Sequence, residues 1–465
     1  MTDLHVVILA AGKGTRMKSA RPKVLHHVAG RPMVEYVIRA AQSLSPRTIT
    51  VVVGHMKELL RQGLSRYPEL SFVTQEPQLG TGHALLQTAS VLEGQSGFVL
   101  LLSGDVPLLN RHTLASLVSR HEETHASATI LTALVEQPYG YGRIVRVKGR
   151  VSRIVEERDA SPAQRKIKEI NSGVYVFSLA PLFEALRGLA TANAQGEYYL
   201  TDLISTYRRR RRGVETVVIE HPSEIHGING RSELAEASRI VRQKKNEELM
   251  AAGVTIEDPA TTYIDDDVVI GTDTVIHPGV YIEGKTQIGQ ACEIHSGVRI
   301  VNSVLDDRVT VQNHCVINGG KLGIGVTIGP FAHVRPETEL RESVHVGNFV
   351  ELKKTVLGKG TKAGHLSYLG DAIVGEGVNI GAGTITCNYD GKKKNLTTIE
   401  DGAFIGSDSQ LVAPVTIGKG AYVGSGATIR ENVPAGALAV SAGKQRNLED
   451  WVSKKVERKK VESKK

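Results

Sequence analysis

Four stretches of the 465-residue chain carry side chains suited to group transfer. In Leu9-Ala-Ala-Gly12-Lys-Gly14-Thr-Arg16-Met17, two glycines follow an apolar run, so backbone N–H groups can approach a phosphate while Arg16 and Lys23 neutralise it. Met17 stands where both a Walker A loop and a dinucleotide fingerprint require glycine, so this is a phosphate loop of another kind. Ser103-Gly104-Asp105-Val106-Pro107 sets a carboxylate just past a second apolar run, where a hard cation bridging phosphates would bind. A turn aspartate is the alternative there, and Asn229 in Gly227-Ile-Asn-Gly230 is a candidate second oxygen ligand. In the other half, His365 in Gly364-His-Leu-Ser-Tyr-Leu-Gly370 can take a proton from an attacking amine. His277, His295, His314, His333 and His345 share that half, so residue type alone does not single His365 out. The segment Gly383–Lys394, with Asn388 and Tyr389, is a loop beside it.

These groups need two kinds of scaffold. Up to about residue 227, the apolar runs His5–Ala10, Ile49–Val53, Phe98–Leu102 and Ala128–Val135 alternate with helical patterns such as Met33–Leu44 and Gly82–Leu92. That alternation predicts a Rossmann-like α/β domain, 1–230, with a mostly parallel sheet and ligands at the strand C-terminal ends. Residues 231–253 read as a charged linker helix with Leu234, Ala237 and Val241 on one face and Gly253 as its C-terminal cap.

Beyond it the period becomes six. Ile264, Ile270, Ile276, Ile282, Ile288, Ile294 and Ile300 are in unbroken phase. Val311, Ile317, Ile328, Val334, Leu340, Val346 and Leu352 follow after one-residue slips, and Ile399, Ile405, Leu411, Ile417, Val423 and Ile429 close the series. Coils of three short strands repeat in this way, predicting a parallel β-helix within a 254–465 domain.

The net charge of +8 is concentrated in Arg208–Arg212 and in a basic tail at about 447–465, leaving the body nearly neutral. Neither cluster alternates with aromatics, so both read as solvated segments, a loop and a tail, and nucleic acid is not an expected partner. Three cysteines without CxxC spacing support neither a disulfide framework nor a zinc ribbon. Apolar runs too short for a signal core or a membrane span lead to the expectation of a cytoplasmic protein without membrane insertion.

Taken with Gln75, Leu79-Gly-Thr-Gly-His83, Tyr141-Gly-Arg143, Glu156, Asn171-Ser-Gly173 and Gly196–Asp202, the phosphate loop resembles that of the sugar-nucleotide pyrophosphorylase family. With the hexapeptide half attached, nearly the whole chain resembles the bacterial family of bifunctional N-acetylglucosamine-1-phosphate uridyltransferases and glucosamine-1-phosphate N-acetyltransferases. The resemblance implies a left-handed β-helix, a homotrimer, and production of UDP-N-acetylglucosamine for peptidoglycan and lipopolysaccharide. It implies that Leu9, Ala10, Ala11, Gly12, Lys23, Gln75, Gly80, Thr81, Ser103, Gly104 and Asp105 hold UTP, with Arg16 and Lys23 catalytic. Gly142, Glu156, Asn171 and Asn229 would hold N-acetylglucosamine 1-phosphate, and Asp105 and Asn229 would bind Mg²⁺. For acetyl transfer it implies His365 as base and Arg335, Lys353, Tyr368 and Asn379 around glucosamine 1-phosphate. Ala382, Asn388, Tyr389, Ser407, Ser425 and Ala442 would take acetyl-CoA. The chain departs from the family pattern at Ser103, usually tyrosine, and at Ala442, usually arginine, where Lys444 and Arg446 are the nearest cations. A single-function nucleotidyltransferase with the β-helix as an assembly module is the alternative.

Overall fold

The computed structural model describes residues 3–441, 443, 445, 447 and 449–454. Ala442, Lys444, Arg446 and the tail beyond residue 454 lie outside the described residues. The chain divides into two compact units, Met1–Lys244 and Lys245–Lys465, and the division falls inside the helix Arg231–Ala251. Ala237 and Val241 of that helix are buried in the core of the first unit, while Leu249 belongs to the core of the second. Gly253, at φ +96°, ends the helix, and Val254 N–H donates back to the Leu249 carbonyl at 3.0 Å, the six-to-one bond of a glycine cap.

The first unit is built on a nine-stranded sheet. Its strands are β1 (Leu4–Leu9), β2 (Thr48–Val53), β3 (Leu70–Thr74), β4 (Phe98–Ser103), β5 (Ala128–Leu134), β6 (Arg143–Val147), β7 (Arg150–Val155), β8 (Glu169–Ser178) and β9 (Val214–Val218). The main order is β9-β5-β8-β4-β1-β2-β3. Val6, Val7 and Ile8 are fully buried because helices cover both faces, which is why β1 is a continuous apolar run without alternation. The sheet is more mixed than its apolar runs suggest, since β8 lies antiparallel to both β4 and β5. The chain leaves β1 toward β2 on one side and returns to β4 on the other, which makes the C-terminal ends of β1 and β4 a switch point. There Leu9 pairs with Ser103, so the phosphate loop and Asp105 emerge side by side.

The segment expected as one helix over Gly82–Leu92 is two, Thr81–Gln87 and Ala89–Leu92. The break is at Thr88, whose hydroxyl donates to the Leu85 carbonyl at 2.7 Å and competes with the helical ladder.

His121 lies completely buried between the Thr129 and Ser178 hydroxyls, at 2.9 and 3.1 Å, and burial lowers its pKa to about 4. Its folded pKa is below the unfolded value, so the unfolded chain takes up the proton first, and stability is lost as pH falls from about 6.5 toward 4. A shift of that size corresponds to on the order of 3 kcal/mol. Urea unfolding of the first unit at pH 7 and pH 5 should show this loss, and His121→Asn should flatten it. An equal pH slope in the variant would assign the loss to other groups.

In the second unit every sixth residue turns inward. Ile264, Ile282, Ile300, Ile317, Val334, Leu352 and Leu369 form one column of parallel-paired neighbours on successive coils, all essentially buried. Each contributes about 1.5–3 kcal/mol of apolar burial. The one-residue slips in the hexapeptide phase are coils of 17 residues among coils of 18, with Ile300↔Ile317↔Val334 and Leu352↔Leu369 the shorter steps. The result is a left-handed β-helix. Gly347 illustrates how tightly the coils stack: a Cβ there would come within 1.7 Å of the Gly364 carbonyl oxygen. Gly347→Ala is therefore expected to destabilise the unit by at least the ~1–3 kcal/mol typical of overpacking. It should also disturb the hydrogen bond of the adjacent Asn348 to His365 one coil on, and lower the urea midpoint. An unchanged midpoint would mean that the coils can part at this point.

Candidate active sites

In the first unit a cleft of about 450 Å³ opens at the switch point. It is lined by the expected Leu9, Ala10, Ala11, Gly12, Lys23, Gln75, Gly80, Thr81, Ser103 and Asp105, and also by Lys13, Gln78 and Glu197. Gln75 is buried, its amide donating to the Gly80 carbonyl at 2.9 Å. Gly80, at φ +108°, presses this loop against the 197–198 backbone, and a Cβ there would lie 2.8 Å from the Tyr198 carbonyl. Glu197 lies in the Gly196–Asp202 motif, which is the signal that could have placed it.

Lys23 pairs with Asp105, and its Nζ also donates to the Asn229 side-chain oxygen at 3.2 Å. Ile228 N–H donates to the Asp105 carbonyl at 2.9 Å, clamping the 227–230 loop in place. Two oxygens more than a hundred residues apart thus face one point, which an ammonium holds in this structure. This oxygen-only donor pair fits a hard cation whose remaining ligands are phosphate oxygens and water. Arg16 is exposed on the short 3₁₀ turn Thr15–Met17 and is not among the residues lining the cleft.

Gly142, Glu156 and Asn171 also come together. Asn171 N–H donates to the Gly142 carbonyl at 2.9 Å, and a Cβ on Gly142 would lie 3.5 Å from both Asn171 Cβ and Glu156 Oε1. Thr201 donates its hydroxyl to Glu156 Oε1 at 3.1 Å, while burial pushes the Glu156 carboxyl above its usual range. The pairing of β5 with β8 slips between Asn171 and Tyr175, and a Cβ on Gly173 there would lie 3.8 Å from the Ser103 hydroxyl. Arg143 is buried and bound to Glu157 at 2.6 Å, so it braces this group from behind.

On the β-helix, His365 Nδ1 meets Asn348 Oδ1 at 2.9 Å, one coil away. An amide oxygen can only accept, so Nδ1 carries the proton and Nε2 is left as the base. Asn348 lacks a motif of its own; its signal is the coil length, 17 residues before His365. Continuing the register from Ala363↔Ile380, Ile380↔Ile405 and Ile405↔Val423 stacks Ala382, Ser407 and Ser425 above His365 along one edge. Asn379 lies on the adjoining face, paired with Lys362. Ala442 falls outside the described residues.

Around the corner, Arg335 and Lys353 occupy equivalent positions of neighbouring coils, and the next equivalent is Gly370. A Cβ at Gly370 would collide with the Tyr368 hydroxyl at 2.4 Å and the Asn388 amide at 2.7 Å, so these two lie over the glycine. Lys394 completes the group: it and Arg335 lower the Lys353 pKa, while Asp371 opposes them. Three cations against Glu351 and Asp371 leave this face with a net positive charge, suited to an anion. Asn388, expected with acetyl-CoA, donates its amide to the Tyr368 hydroxyl (3.4 Å) and to Asp371 (2.5 Å), which places it also beside Tyr368 of the amino-sugar group. Tyr389 is exposed on the same loop, its hydroxyl donating to the Gly391 carbonyl at 2.7 Å. Cys387 is half-buried, less enclosed than a core cysteine, and the three thiols are free.

Family comparison agrees with both halves. Residues 6–207 match the MobA-like NTP transferase domain, residues 264–346 the GMPPB C-terminal domain, and residues 396–431 the bacterial transferase hexapeptide of six repeats. The molecule is thus a nucleotidyltransferase continuous with a hexapeptide-repeat acyltransferase. Whole-length relatives sharpen this. The chain is 48% identical to the Bifunctional protein GlmU of Pelobacter propionicus, over 97% of this chain and 98% of the relative. It is 49% identical to that of Carboxydothermus hydrogenoformans, over 96% and 99%. The Geobacillus sp. protein of the same name is 48% identical, over 98% of each. The chain belongs to the GlmU family.

Proposed function

We propose that the chain makes UDP-N-acetylglucosamine in two reactions: acetyl transfer from acetyl-CoA to glucosamine 1-phosphate on the β-helix, then uridyl transfer from UTP in the α/β unit. The observation that carries this reading is one chain holding two separate constellations. One is a phosphate loop beside converging Asp105 and Asn229, the other a tautomer-defined histidine next to a cationic face.

In acetyl transfer, His365 Nε2 takes a proton as the glucosamine nitrogen forms its bond to the thioester carbonyl carbon, and the C–S bond then breaks to release coenzyme A. Arg335, Lys353 and Lys394 hold the sugar phosphate, and Tyr368 and Asn388 orient the ring. The edge through Ala382, Ser407 and Ser425 offers the coenzyme a track ending at His365. In uridyl transfer, a phosphate oxygen of N-acetylglucosamine 1-phosphate attacks the α-phosphorus of UTP and pyrophosphate leaves. Catalysis there is positioning and charge neutralisation by the loop amides, Lys13 and Lys23, with Glu156, Thr201 and Asn171 around the sugar. Mg²⁺ held by Asp105 and Asn229 would neutralise the phosphates.

A homotrimer accords with an apolar column along the same β-helix edge. Phe331, Phe349 and Leu366 are 50, 55 and 62% exposed, and the two phenylalanine rings stack at 5.4 Å. A cytoplasmic setting accords with three free thiols and with the absence, among the described residues, of any helix long and apolar enough to cross a membrane.

The deciding experiment supplies glucosamine 1-phosphate, acetyl-CoA and UTP to the purified chain and follows coenzyme A thiol and pyrophosphate. Both products are expected, thiol release requiring only the first two substrates. Pyrophosphate from N-acetylglucosamine 1-phosphate without any thiol release would reduce the β-helix to an assembly module.

A further inference from the structure

Neither active site uses the arginine run 208–212. Arg208 and Arg209 do not lie in a solvated loop: they form the last turn of the helix Asp202–Arg209 and, with Arg150 and Arg153 of β7, line a groove of about 430 Å³. Ser152 adds a hydroxyl, whereas the Ser205 hydroxyl is already committed to the Asp202 carbonyl at 2.9 Å. Several other arginines of this unit sit beside a carboxylate, Arg120 by Glu215, Arg146 by Glu169 and Arg210 by Glu184. Among the described residues no carboxylate lies within ion-pairing distance of the four groove arginines; the nearest compensation is the Asp202 carboxylate, which acts on Arg209 through space, and Arg209 donates to the Thr206 hydroxyl at 3.2 Å. Four like charges lining one groove repel one another, and guanidinium groups bind phosphate in bidentate fashion. A phosphoryl group carries about −1.5 to −2 charges, so balancing four arginines takes two or three of them.

We propose that this groove binds an anion bearing two or three phosphoryl groups, and that its occupancy alters affinity for the sugar phosphate. The second part rests on the assignment of Glu156 to the sugar side. β7 runs directly on to Glu156, and the helix starts beside Thr201, which donates to Glu156 at 3.1 Å. An anion bridging Arg150 and Arg153 to Arg208 and Arg209 would tie together the two elements that meet again at that hydrogen bond.

The test is calorimetric titration of the full chain with inorganic tripolyphosphate, the nucleotide cleft being filled with UDP-N-acetylglucosamine. Arg150→Ser/Arg208→Ser should lose one site per chain or at least tenfold in affinity. The charge-matched Arg120→Ser/Arg187→Ser, whose arginines are paired with Glu215 and Glu93, should keep it. Equal losses in both variants, no loss in the groove variant, or binding confined to phosphatidylglycerol vesicles would overturn the site. At fixed free Mg²⁺, tripolyphosphate should then shift KM for N-acetylglucosamine 1-phosphate in the wild type and not in the groove variant. Intact binding with an unmoved KM would overturn the coupling. Since the titration needs no turnover, its outcome is independent of whether uridyl transfer is the reaction.

Discussion

His365→Ala is expected to lower acetyl transfer by about 10²–10⁴-fold, the usual worth of a positioned general base, and to leave uridyl transfer unchanged. The expectation follows from the hydrogen bond to Asn348, which makes Nε2 the free lone pair. The ring is exposed on a strand whose backbone is held by the coils above and below, so its removal opens no cavity and the fold should survive. Asn348→Ala tests the same geometry from the other side. It should cost less than His365→Ala, because the histidine remains but is no longer held in one tautomer, and the loss should depend on pH. Release of coenzyme A thiol, measured against pH for both variants, checks this. A His365→Ala protein retaining full acetyl transfer would remove the base from His365 and with it the role assigned to this edge.

Asp105→Asn is expected to have the complementary effect, reducing uridyl transfer by about 10²–10³-fold while acetyl transfer persists. The amide keeps the size of the carboxylate and removes the charge that, with Asn229, faces the phosphate site. The variant also leaves Lys23 without its carboxylate partner, so Lys23→Ala and Asp105→Asn should be non-additive when combined. Pyrophosphate release from UTP and N-acetylglucosamine 1-phosphate is the measurement. Additive losses would mean that the two side chains act independently, and retained activity would return Asp105 to a turn aspartate.

The two sites were legible in the sequence to different degrees. The phosphate loop, Gln75, Gly80 and Asp105 cluster around local motifs, and the structure gathers them in one cleft because each motif terminates a strand or begins a helix at the same edge of the sheet. Arg16 belongs to the same loop yet stays out of the cleft, since the 3₁₀ turn Thr15–Met17 buries Met17 and leaves Arg16 in solvent. Asn388 stands in a loop whose sequence does not show where it points; the loop folds back so that the Asn388 amide bonds Tyr368 and Asp371. The Asp390 side chain, which accepts from the Lys392 and Lys393 amides, shapes that turn.

What the sequence determined by itself is whatever repeats or stays local: the β-helix, because a six-residue period has one structural solution, and the phosphate loop, because its glycines act on adjacent backbone. The tertiary structure decided the rest. Asp105 with Asn229, Asn348 with His365, Lys394 with Lys353, and four arginines about one groove are meetings between distant segments. Sheet order and coil register set those meetings, and neither is a property of any single segment's composition.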